Sequence, residues 1–163
     1  MSKRRRGVAG QGIVVTRRAA RPIDKELKFV NQLATNAMTT TQLKVVTFPG
    51  TVVGLRWDIS GLAATAGSQV MSWVIVIVSD GDQVTNISQT DGADYYTPEQ
   101  NVLAFGTWSM APNTAGEGIA KQWIGTTKTM RKLKQGDQLL FASFGSAAGA
   151  AFVNGVVQFF FKT

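Results

Sequence analysis

The chain has 163 residues, with 17 Lys or Arg against 10 Asp or Glu and a formal net charge of +7. It contains neither cysteine nor histidine. Their absence excludes disulfides, thiol chemistry, the usual zinc sites, Ser-His and Cys-His nucleophile systems and His-based acid–base catalysis. An enzyme would have to work with carboxylates, lysines or tyrosines alone, so no enzymatic activity, cofactor or metal is expected.

The charge is unevenly placed. Residues 1–22 hold Lys3, Arg4, Arg5, Arg6, Arg17, Arg18 and Arg21 and no acid, while residues 23–163 hold ten cations and ten anions. The chain therefore divides into a basic arm over 1–22 and a near-neutral body over 23–163. An arm rich in Arg, Gly and Ala with no amphipathic period is expected to be disordered in isolation. Its cations can neutralise phosphates without reading sequence. The KRRR and RRAAR clusters are also spaced like a bipartite signal for a nuclear import receptor. No secretory leader is read in the arm, because no continuous apolar stretch follows its charges.

From about Lys25 the pattern is β. Residues 26–30 (ELKFV) and 41–48 (TQLKVVTF) alternate or run apolar, and Pro49-Gly50 marks a turn. Residues 51–60 (TVVGLRWDIS) alternate, which puts Val53, Leu55, Trp57 and Ile59 on one face and Val52, Gly54, Arg56 and Asp58 on the other. A small-residue loop over 61–67 precedes a strand over 69–78. Its WVIVIV run predicts burial on both faces, and at six residues is far too short to span a bilayer, so no membrane partner is expected.

Residues 80–99 are acidic and polar and predict a long surface loop, with a short strand near Val84–Ile87 as an option. Further strands follow at 102–110 (VLAFGTWSM), 121–130, 137–144 (DQLLFASF) and 151–161 (AFVNGVVQFFF), with a basic turn at 131–136. Eight or so strands, no long helix and no internal repeat give an all-β sandwich. Uneven loops favour an eight-stranded jelly roll over an up-and-down barrel.

Several groups invite a functional reading. Lys121, Lys128, Arg131, Lys132 and Lys134 form a second basic cluster with no acid between 119 and 136. It is either a solvated turn, a contact for nucleic acid, or a partner for the acidic loop of a neighbouring copy. Asp80, Asp82, Asp91 and Asp94 supply carboxylates but lack the spacing of a calcium loop. No two carboxylates can be paired from sequence for glycosidase-type hydrolysis. Trp57, Trp73, Trp108 and Trp123 lie in strand-like alternation, which favours packing over base stacking. Phe159, Phe160 and Phe161 must address both faces of a strand, so one face would lie against something other than solvent.

The segments TFPGTVVGLRWDIS (47–60), WVIVIVSDG (73–81), DGADYYTPEQNVLAFGTW (91–108), TMRKLKQGDQLLF (129–141) and QFFFKT (158–163), behind a basic arm and without Cys or His, resemble the coat proteins of small circular single-stranded DNA viruses. The resemblance implies a single jelly roll that self-assembles into an icosahedral virion shell of 60 copies (T=1). It also implies an inward arm that condenses a circular single-stranded DNA genome, with assembly in the host nucleus. The arm is shorter and less Arg-dense than is typical of circoviruses. Sixty arms of seven cations carry about 420 charges, fewer than the phosphates of a kilobase genome, so the second cluster or free cations would have to contribute. The alternatives are a single-stranded nucleic-acid-binding β-barrel that forms no shell, and a ligand-binding jelly roll with a basic tail.

Overall fold

The computed structural model describes residues 23–34, 38–63, 69–81, 101–110, 120–145 and 151–163. Eight strands cover most of these residues: β1 (Asp24–Ala34), β2 (Thr39–Val45), β3 (Gly50–Ala63), β4 (Gln69–Val78), β5 (Val102–Met110), β6 (Ala120–Leu133), β7 (Gln138–Gly145) and β8 (Ala151–Lys162). Among the described residues no helix is long and apolar enough to cross a membrane. The expected strand at 84–87 and most of the acidic loop lie outside the described residues.

The strands form two antiparallel four-stranded sheets, ordered β1-β8-β3-β6 and β2-β7-β4-β5. Each strand of the first half pairs with its mirror image in the second: β1 with β8, β2 with β7, β3 with β6 and β4 with β5. This is the pairing of one long hairpin rolled into a sandwich, and the fold is a jelly roll.

The core forms where inward positions of the two sheets meet. Val52, Leu55, Ile59, Val153, Val157 and Phe159 from the first sheet face Met71, Trp73, Ile75, Leu139 and Phe141 from the second. Trp73 stacks on Phe141 at 5.9 Å and meets the edges of Trp57 and Trp123 at the same spacing. These three tryptophans thus serve packing, as their alternation predicts; the Trp108 side chain lies outside the described residues. Two of the bulky rings are accommodated by a glycine on the neighbouring strand, since Trp73 pairs with Gly106 and Trp57 with Gly125. The apolar run of β4 is buried on both faces, for Val74, Val76 and Val78 form a second cluster with Ala142 behind the sheet.

One expectation about β3 is corrected. Val52 is fully buried with Leu55 and Ile59, while Val53 is only half-buried. The register with both neighbours shifts between Val52 and Gly54, so an irregularity interrupts the alternation there. A single extra residue moves the parity of everything on one side of it.

Where β1, still paired with β8, faces β2 and β7 across the sandwich, a polar group is buried rather than an apolar one. Gln32, 4% exposed, donates to Thr41 Oγ1 (2.6 Å) and to the Phe141 carbonyl (3.3 Å), and accepts from Ser143 Oγ (2.5 Å). Both ends of the amide are used, which is the condition for a buried polar side chain to be tolerated.

Candidate nucleic-acid interface

The register of the first sheet determines which charged side chains share a surface. On β8, Phe159 and Phe161 point into the core, so Phe160 and Lys162 point away from it. Across the strands, Lys25, Phe160, Gly54 and Lys128 lie in one row, and Lys162, Thr51 and Lys132 lie in the next. Arg56 follows in the row of Leu27, Gln158 and Thr126. Lys25, Arg56, Lys128, Lys132 and Lys162 are all exposed. Strands are about 4.8 Å apart, so four strands bring Lys25 and Lys128 within roughly 15 Å, the span of a few nucleotides.

Only one acid lies on this outer face among the described residues. Asp58 occupies the row of Phe29, Val156 and Ile124, and its Oδ1 accepts a hydrogen bond from Gln122 Nε2 (2.8 Å). Glu26 falls on the opposite side of β1, where it is paired with Lys44 and Lys28. Lys44 also sits over the Phe161 ring, 4.7 Å from its centroid. The acids near this end are thus mostly turned away from the basic rows or already engaged.

Of the remaining cations of the second cluster, Arg131 and Lys134 continue the same end of the sandwich, whereas Lys121 stands at the opposite end of β6. β6 runs through Leu133, which is buried, so Arg131 and Lys132 belong to the strand rather than to the expected turn. The turn is confined to 134–137. Asp137 is buried, and its Oδ2 accepts from the Lys134 backbone N–H (2.7 Å). Val46 N donates to the Asp137 carbonyl (2.8 Å), and Gly136 N donates to the Val46 carbonyl (2.9 Å). Gly136 has φ +92°, and a Cβ there would meet the Asp80 carboxylate at 2.8 Å. Two chain reversals are therefore hydrogen-bonded together at the base of Lys134, with Asp80 packed close to Gly136.

The body begins at this end as well. Asp24, the first residue of β1, is in register with Phe161, next to the end of β8. The segment carrying Lys3, Arg4, Arg5, Arg6, Arg17, Arg18 and Arg21 thus joins the body beside Lys25 and Lys162. Those seven residues lie outside the described residues, as does the side chain of Lys121, whose backbone in β6 pairs with Gly61 of β3.

Lys25, Arg56, Lys162 and Phe160 are not marked as site residues by any sequence motif. Strand parity could have placed Phe160 and Lys162 on one face of their strand, but their company with Lys25 and Lys128 depends on which strands are neighbours. The same outer face carries large apolar side chains among and beyond these charges. Leu27, Phe29, Ile124, Met130 and Phe152 are exposed there, with Phe29 at 76%. Of the four aspartates considered for calcium only Asp80 is described, and no cluster of three or more His, Cys, Asp or Glu is found among the described residues.

No protein-family model matches the chain, and no curated protein matches it by sequence. Among solved structures it is similar to dimeric latent PorU from Porphyromonas gingivalis, with TM-score 0.45 and 13% identity over 86% of this chain and 13% of that one. It is similar to the Eiger TNF of S. frugiperda, with TM-score 0.41 and 13% identity over 83% of this chain and 93% of the other. A third similarity is to the VP2 subviral particle of infectious bursal disease virus, with TM-score 0.21 and 12% identity over 86% of this chain and 41% of that one. This chain spans about an eighth of the PorU chain. At this distance the role has to be argued from the chain's own residues.

Proposed function

We propose that this chain is a structural coat protein that self-assembles into a closed icosahedral shell and packages nucleic acid. The observation that carries the nucleic-acid part is the gathering of Lys25, Arg56, Lys128, Lys132 and Lys162 on one sheet face, beside the point where the basic segment enters. A duplex or single strand laid across that face would meet cations on all four strands with one acid among them. Charge neutralisation of this kind is sequence-independent and salt-sensitive. Support for assembly comes from Phe29, Ile124 and Phe152, large apolar side chains exposed on the same sheet beyond the row of Arg56. A lateral contact between copies would remove them from water. The finer reading is a single-stranded DNA virion of 60 copies, with the KRRR and RRAAR clusters addressing the chain to the nucleus. It rests on the sequence resemblance. On this reading the protein performs no catalysis.

A second reading has one observation in its favour. Phe160 lies between Lys25 and Lys128 across the strands, the alternation of aromatic and cation used by proteins that coat single strands without closing a shell. Electron microscopy of the purified protein, with the 260/280 nm absorbance ratio of the same fraction, separates the two. Uniform closed particles with a high ratio are expected. Nucleic acid without particles would favour the strand-coating protein. Deletion of residues 2–21 should lower the nucleic-acid content sharply while the β body stays folded, and an unchanged content at equal salt would refute the role given to the basic segment.

A further inference from the structure

At the corner where the first sheet's β6 edge meets the end of β4 and the start of β5, a cleft of about 510 Å³ opens. We infer that this cleft is a phosphate-binding site that holds one nucleotide unit of the bound strand. The inference rests on the nucleic-acid reading above and adds a defined site to it.

Arg131, Lys132 and Lys134 line the cleft, and among the described residues no carboxylate lies within 4.0 Å of their charged groups. Cations that lack a carboxylate partner, set in a concave wall, favour an anion there more than the same charges on an open strand would. Asn101, Gln135 and Ser79 add uncharged hydrogen-bonding groups at the rim. Met130, 73% exposed, supplies a soft apolar surface suited to a flat ring. The volume is several times that of a phosphate ion and falls in the range of small-molecule pockets. Phosphate on the cations with sugar and base along Met130 is the occupant that uses all of these groups.

Two acids also line the cleft, and they are not equivalent. Asp137 is buried and committed to the Lys134 N–H, so its charge stabilises the turn. Asp80 is exposed, and its carboxylate rests against Gly136. It opposes an anion in the cleft and would assist a cation, which gives the site a test of sign.

Isothermal titration of the full chain at low salt, with thymidine 5′-monophosphate and with inorganic phosphate as separate titrants, reads the site. One nucleotide per chain should bind, and more tightly than phosphate alone. Arg131→Gln and Lys134→Gln should each weaken it by roughly ten- to hundredfold, the weight of one hydrogen bond from a charged group. Asp80→Asn preserves side-chain volume and should strengthen binding. Circular dichroism melting of each variant establishes that it is folded. Unchanged nucleotide affinity in folded Arg131→Gln and Lys134→Gln would overturn the assignment, and weaker nucleotide binding in Asp80→Asn would refute the electrostatic account of the cleft. Equal affinity for phosphate and nucleotide would remove the nucleotide from the claim. The deletion of residues 2–21 should leave this one-to-one binding intact; its loss would place the phosphate on the basic segment. None of these results depends on whether particles form, so the coat reading and the cleft fail separately.

Discussion

Replacing Gly106 by alanine tests the packing of the core against a neighbouring substitution that looks worse on distance alone. A Cβ at Gly106 would stand 2.5 Å from Trp73 Nε1, 2.6 Å from Cε2 and 2.8 Å from Cζ2, all well inside contact. At Gly125 a Cβ would come closer still to the Trp57 ring. The two indoles differ in freedom. Trp73 is wholly buried, stacked on Phe141 and flanked by the edges of Trp57 and Trp123, so it has nowhere to go. Trp57 is half-buried at the margin of the core and can swing outward. Overpacking a rigid site costs about 1–3 kcal/mol and sometimes more. Gly106→Ala is therefore expected at about 3 kcal/mol or above, and Gly125→Ala nearer 1 kcal/mol. For a domain of this size that corresponds to a Tm fall of roughly 6–12 °C against roughly 2–4 °C. Urea unfolding followed by tryptophan fluorescence measures both, at dilutions where the midpoint no longer depends on concentration. A Gly106→Ala loss below about 1 kcal/mol, or a larger loss in Gly125→Ala, would refute the claim that confinement outweighs distance.

Three other outcomes are expected. Gln32→Ala strands the fully buried Ser143 hydroxyl and removes the link between β1 and β7, and should lower stability by about 2–3 kcal/mol in the same unfolding assay. Gly136→Ala combines a left-handed backbone with a clash against Asp80, so a loss of about 1–2 kcal/mol is expected, and a neutral result would mean that the turn relaxes freely. Lys25→Gln with Lys128→Gln should reduce the salt dependence of oligonucleotide binding. The slope of log K against log salt should fall by about 0.7 for each phosphate of a single strand that is no longer neutralised, as measured by fluorescence anisotropy at several salt concentrations.

Much of the fold can be read along the chain because burial in a sheet leaves a local trace. The WVIVIV run declares a strand covered on both sides, and the three phenylalanines declare one that is covered unequally. The strand expected over 121–130 stops short of its true end, because Arg131 and Lys132 look like a turn, although Leu133 is the inward residue that ends the strand. The break at Val53 leaves no trace, since both valines are equally at home in a strand. The candidate interface is half legible for a different reason. Lys128, Arg131, Lys132 and Lys134 are close in sequence. Lys25, Arg56 and Lys162 join them only through strand partners remote in the chain, such as Phe160 for Lys25 and Thr51 for Lys162, and local pattern carries no information about such partners.

The rolled-hairpin pairing also orders events in time. β8 is the last of the eight strands in chain order, yet it lies inside the first sheet between β1 and β3. On a ribosome β1 emerges before the other seven strands and must wait for all of them before it acquires β8 as its partner. Such non-local closure is slow. A chain interrupted before residue 151 would lack an interior strand rather than an edge, leaving β1 and β3 without their common neighbour. Synthesis of β8 is thereby made a condition for the surface on which a second copy or a polyanion could dock.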